Sequence, residues 1–232
     1  MLHDSPALQA LAWSTATIAA YLLAKRIHQR FALALTSPLL LAPVLLFSLG
    51  AVTGVQYLEY FRATHWLGLL LGPAMVSFAV PIYERRAIVA QHWVALVAGV
   101  GVGSMLAVVT AWLLSSALGV TGPLRLSILA RSVSTPFAVA VSRDIGGVPE
   151  LTALFVILTG LIGASIGRLL LRWLPLRSGI ARGALFGMGA HSVGVASASR
   201  LGSEEGAIAG LVMIFAGLSN VVLAPLLLYA MR

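Results

Sequence analysis

Two short runs carry most of the side chains that could engage a small charged molecule: Arg131-Ser132-Val133-Ser134-Thr135-Pro136 and Gly187-Met188-Gly189-Ala190-His191-Ser192-Val193-Gly194. In the first, Thr135 followed by Pro136 suits the N-cap and first position of a helix, so a helix is predicted to restart there. The free N–H groups at such a start carry partial positive charge, which suits a carboxylate. Arg131, about one turn earlier, adds a full charge and a bidentate grip. The alternative is a proline-kinked helix whose arginine reaches back to a polar surface. In the second run the glycines free the backbone to leave helical geometry, and His191, beside Ser192, can hold an anion or pass a proton. The alternative is a small-residue packing seam, with His191 bonded to a carbonyl. The candidate anion-binding set is thus Arg131, Ser132, Ser134, Thr135, Pro136, His191, Ser192 and Gly194. Glu84 and Glu205 are weaker candidates for coupling an ion. Glu84 beside Arg85 also suits an interfacial ion pair, and Glu205 suits a helix start.

The elements around these runs are apolar. Hydrophobic residues make up 59% of the 232 residues and charged ones 9%, against roughly 45–50% and about 25% in soluble domains. One aqueous fold could not bury so much apolar surface behind so few charges. In lipid the difficulty vanishes, and the reading is a polytopic, all-α membrane protein. The net charge of +8 sits in short clusters between apolar runs, as loops on the cytoplasmic side require. It forms no aromatic-interleaved stripe, so nucleic acid is not an expected partner. The absence of cysteine rules out thiolate chemistry. No HExxH, GxSxG or Walker A motif occurs, so neither an enzyme nor a metal or nucleotide cofactor is expected.

Apolar runs are expected over residues 6–24, 38–57, 66–83, 93–118, 151–171 and 207–228, each close to the ~20 residues that cross a bilayer. Two further stretches, 124–145 and 183–198, are interrupted by the candidate residues. Counting them or not gives six to eight transmembrane segments. Residues 1–118 read as a scaffold of about four spans. Residues 119–232 read as a transport-type unit of two broken helices and two spans. If the basic clusters at 25–30, 85–86 and 172–182 share one side, an odd number of crossings separates residues 119 and 172. The broken stretch 124–145 is then expected to be re-entrant. A shift of 57 positions lays Ser142-Arg143 on Ser199-Arg200, Ile157 on Ile214 and Gly160-Leu161 on Gly217-Leu218. Inverted repeats with matching interrupted segments point to a transporter site at the membrane midplane.

These stretches resemble the LrgB/CidB family of bacterial membrane proteins, whose plant relative is the plastidal glycolate/glycerate translocator. The matching residues are Ser37-Pro38-Leu39-Leu40, Leu71-Gly72-Pro73-Ala74, Pro81-Ile82-Tyr83-Glu84 and the run 131–136. Ile145-Gly146-Gly147-Val148-Pro149, the stretch from Arg182-Gly183-Ala184 through Gly194, and Glu205-Gly206 complete them. Ser37 stands where relatives often carry Asn, and Arg131 where some carry Lys. Arg143-Asp144 replaces smaller residues seen in some members. The resemblance implies one of two activities. One is secondary transport of small monocarboxylates of the glycolate, glycerate or pyruvate type by alternating, elevator-type access. The other is an antiholin- or holin-like role in murein hydrolase export and lysis beside an LrgA/CidA-type membrane partner. A homo-oligomer in the lipid bilayer of the bacterial cytoplasmic membrane is expected.

Overall fold

The computed structural model describes residues 5–31 and 36–230, without side-chain detail for 225–230. Among the described residues every regular element is helical. Among the described residues five segments are long and apolar enough to cross a membrane, and Pro38–Thr53 is a shorter apolar helix. Phe47 is 80% exposed, Val52 86% and Trp173 79%, a surface that water would penalise and lipid would not.

Contacts divide the chain into two compact units, one ending at Ala74 and one starting at Met75. The expected boundary after residue 118 therefore falls inside the second unit. In the first unit, α1 (Pro6–Phe31), α2 (Pro38–Thr53) and α3 (Tyr57–Leu69) pack together. Trp66 donates to Ser14 at 2.9 Å and Trp13 meets Tyr60 edge-on at 5.4 Å, pinning α1 to α3. Gly54, at φ 71°, ends α2 in the left-handed conformation that glycine adopts without strain. The run from residue 57 to 84 is one apolar stretch broken into α3, α4 (Leu71–Ser77) and α5 (Ala79–Glu84).

The second unit contains α6 (Arg86–Ala117), α7 (Gly122–Leu129), a 3-10 turn at Ala130–Ser132, α8 (Thr135–Ile145), α9 (Pro149–Trp173), α10 (Gly179–Ala198) and α11 (Ser203–Ala230). α6 belongs here because Leu96 and Val100 share a core with Val133, Phe137, Ile208 and Val212. Asn220 also donates to Ser104 across α6 and α11 at 3.2 Å.

The starts of α7 and α10 recur at the 57-position shift. Thr121 and Ser178 hold the N-cap positions of α7 and α10, Ser178 accepting from Ala181 N–H, and the helices begin at Gly122 and Gly179. Helix directions follow from close glycine contacts. Side chains built on Gly160, Gly163 and Gly167 of α9 would meet Ala190, Gly189 and Phe186 in turn, so α9 and the first part of α10 are antiparallel. Gly179, Gly183 and Gly187 of α10 face Glu204, Ile208 and Ala209 of α11, so those two are parallel. It follows that α9 and α11 run in opposite directions.

Helix α10 is not straight. A side chain on Gly194 would collide with the carbonyl of Phe186, which eight helical residues would hold about 12 Å away. The chain therefore folds back at His191, whose φ of 49° and ψ of −130° are non-helical. The stretch from α7 to α9 closes similarly. Val148 N–H donates to Ser127 Oγ at 2.7 Å, Thr152 Oγ1 reaches Ser142 Oγ at 2.7 Å, and Ser127 O lies 3.3 Å from Thr152 Oγ1. This hydroxyl clasp brings the start of α9 back to α7. Thr152→Val, nearly isosteric but without the hydroxyl, should cost about 1–3 kcal/mol by orphaning buried polar partners. Thermal unfolding in detergent checks it.

Candidate functional site

The two reversal points meet inside the second unit. Ser134, extended at φ −66° and ψ 150°, precedes α8, and His191 divides α10. They are 57 positions apart and so occupy the same place in the two repeats. The 3-10 turn bearing Arg131 packs against α10, with His191 beside Arg131. Phe137, at the start of α8, fills the space left by Gly217 near the midpoint of α11. Val193, just after the other reversal, packs on Gly160 near the midpoint of α9. Both tips thus lie halfway along helices long enough to cross a bilayer.

Ser134 is 2% exposed and its Oγ has no hydrogen-bond partner, nor does it cap α8. His191 is also 2% exposed; its ring faces the Arg131 main chain, but neither ring nitrogen reaches good hydrogen-bond geometry. Buried polar atoms left unsatisfied cost about 1–3 kcal/mol each, so their convergence requires an explanation. Arg131 is half-buried and bonds Ile128 O from Nη1 at a long 3.4 Å. Most of its five donors remain available. The N–H groups of the first turn of α8 open toward the same turn. A carboxylate placed here would meet a guanidinium, a hydroxyl, an imidazole and a helix start.

The expected residues fare differently. Arg131, Ser132, Ser134, Thr135, Pro136 and His191 gather at the reversal points. Ser132 is 9% exposed, while Thr135 and Pro136 are half-buried. Ser134 holds the N-cap position without a capping hydrogen bond, one residue before the expected Thr135, which becomes the first helical residue. Ser192 is exposed, and Gly194 lies against Phe186, where it permits the fold-back. Glu84 is exposed at the end of α5. Glu205 sits 3.8 Å from Arg182 at the base of α10, so its partner is a surface cation and not the reversal points. Among the described residues no cluster of His, Asp and Glu could hold a metal. The sequence reading passed over Asn220 and Ser104, although an amide inside an apolar span is itself a signal. It also passed over the Ser127–Ser142–Thr152 clasp, whose members are spread across three elements.

Residues 17–230 match the LrgB-like family. Uncharacterized protein YwbG of Bacillus subtilis is 39% identical over 91% of this chain and 94% of its own length. Uncharacterized protein YxaC of the same organism is 32% identical over 92% and 93%. Holin-like protein CidB of Staphylococcus aureus is 31% identical over 95% and 96%. No solved structure matches this chain.

Proposed function

This chain belongs to the LrgB-like family of multi-pass membrane proteins, and from that premise we propose that it is a secondary carrier of small monocarboxylates in the bacterial cytoplasmic membrane. The observation that carries the reading is the pair of reversal points, whose repeat-related residues Ser134 and His191 leave three buried polar atoms without partners. In this reading α7–α8 and α10 are re-entrant hairpins that enter from opposite faces. Six crossings remain: α1, α2, the α3–α5 stretch, α6, α9 and α11. That arrangement puts the clusters at 25–30, 85–86 and 172–182 on one side, as positive-inside topology asks.

The substrate carboxylate lies between Arg131, Ser134 and His191, against the first turn of α8. Movement of the hairpins against the remaining helices exposes the site to each face in turn. Liposomes holding the purified protein should accumulate labelled glycolate or pyruvate with saturation. Arg131→Ala and His191→Ala should each reduce uptake by about 100-fold or more, as expected when a buried charge or hydrogen bond to a charged group is removed. Full uptake by both variants would remove the site.

A second reading has its own support in the printed name of the CidB relatives, holin-like protein. It makes the chain a lysis-regulating membrane component acting with an LrgA/CidA-type partner. That reading expects leakage of unrelated solutes, no saturation by any carboxylate, and activity only with the partner or in large homo-oligomers. The same liposomes distinguish the two when a neutral dye of similar size is trapped beside the labelled acid.

A further inference from the structure

A cavity of about 200 Å³ lies between α6, the first half of α10 and α11. None of Arg131, Ser134 or His191 lines it. It begins at Ile88 and Ile180, ends near Met188 and Val212, and His92 is the one polar side chain of its lining. A carboxylate there would lose its hydration with little to replace it. A hydrocarbon would lose nothing, and the volume exceeds the roughly 150 Å³ of an engineered apolar cavity that takes up benzene. One wall turns aside where α6 leaves helical geometry at His92, with φ −117° and ψ 17°. No atom lies within 4 Å of where a Gly99 side chain would begin, so the space is open at that height.

The charge at the mouth indicates the guest. α6, the first half of α10 and α11 run parallel, so the end marked by Ile88 and Ile180 is the end where all three begin. Arg85 and Arg86 stand there at the start of α6, Arg182 on α10, Arg172 in the last turn of α9 and Arg177 on the adjoining turn. Glu84, Glu204 and Glu205 oppose them, and Glu205 is occupied by Arg182. The balance is positive. From Ile88 to Val100 the cavity descends about 18 Å along α6, close to half of a ~30 Å hydrocarbon core. Basic pockets between membrane helices on the cytoplasmic side suit anionic headgroups.

We propose that this cavity holds the first several methylenes of one acyl chain of an anionic phospholipid whose phosphate lies beside Arg85 and Arg86. The lipid fills the gap beside the kink in α6 and braces α6 against α10. The whole protein, stripped of native lipid in mild detergent, is titrated with phosphatidylglycerol or with phosphatidylcholine of the same chains, and retention is read by native mass spectrometry. Wild type should hold one phosphatidylglycerol under activation that removes phosphatidylcholine. Gly99→Phe, which fills the cavity, should weaken retention at least about tenfold, because several methylenes lose their burial. Arg85→Gln/Arg86→Gln changes exposed side chains only and should erase the preference for the anionic lipid. Equal retention of both lipids by wild type would overturn the proposal, as would unaltered selectivity in the arginine variant. If Gly99→Phe does not fold, the arginine variant decides alone.

Discussion

His191→Gly should yield a protein at least as stable as its parent that takes up no carboxylate. The φ of 49° and ψ of −130° at His191 make it the one non-glycine residue with positive φ among those described. Side chains in such regions cost about 1–3 kcal/mol, which glycine relieves. Glycine gives back about 0.4–1 kcal/mol through the unfolded chain. It also forfeits the packing of the imidazole, but with it go two buried nitrogens that lack partners. The net expectation runs from neutral to about 2 kcal/mol of added stability. Uptake should fall to the level of empty liposomes, because the imidazole is gone from the site. Thermal unfolding in detergent and labelled uptake are measured on the same preparation. A variant that is clearly less stable and still transports would make His191 a packing residue.

Gly194→Ala should be among the most damaging single methyl additions in the chain. The new carbon would fall on the main-chain carbonyl of Phe186, and neither backbone can yield, since α10 is wedged between α9 and α11. Phe186 and Ala198 already share a core with Ala209. We expect a loss above about 3 kcal/mol, beyond ordinary overpacking, seen as little monodisperse protein after extraction. Gly189→Ala, five residues away, supplies the contrast. Nothing lies within 4 Å of its new carbon, and alanine is the better helix former by about 0.5–1 kcal/mol. That variant should extract normally and unfold at a slightly higher temperature.

The contrast shows what the sequence could and could not convey. Apolar runs and basic clusters were legible because lipid demands them locally. The repeat was visible through Ser142-Arg143 and Gly160-Leu161 and their counterparts. The first interruption was readable to within one residue because proline imposes a local constraint at position 136. The second was not. Gly187, Gly189 and Gly194 suggested that glycine would break α10, yet all three have helical geometry and the chain reverses at a histidine. The glycines serve close approach instead, against Ala209 at Gly187 and against Phe186 at Gly194. A reversal at His191 is imposed by α9 and α11, partners distant in sequence, so no local pattern announces it. Helix limits extended past expectation for the same reason. α1 continues through Lys25 and Arg26 to Phe31, because charge marks where lipid ends and not where hydrogen bonding must stop.

The duplicated halves are shut by different means. One base is fastened by neutral hydroxyls that never meet the medium, the other by Arg182 and Glu205, with the arginine 41% exposed. Dissolved ions weaken attraction between exposed charges and leave buried hydroxyl bonds alone. If the chain is the carrier proposed above, its two hairpins should respond unequally to salt: raising ionic strength should loosen the Arg182–Glu205 base and leave the hydroxyl base untouched.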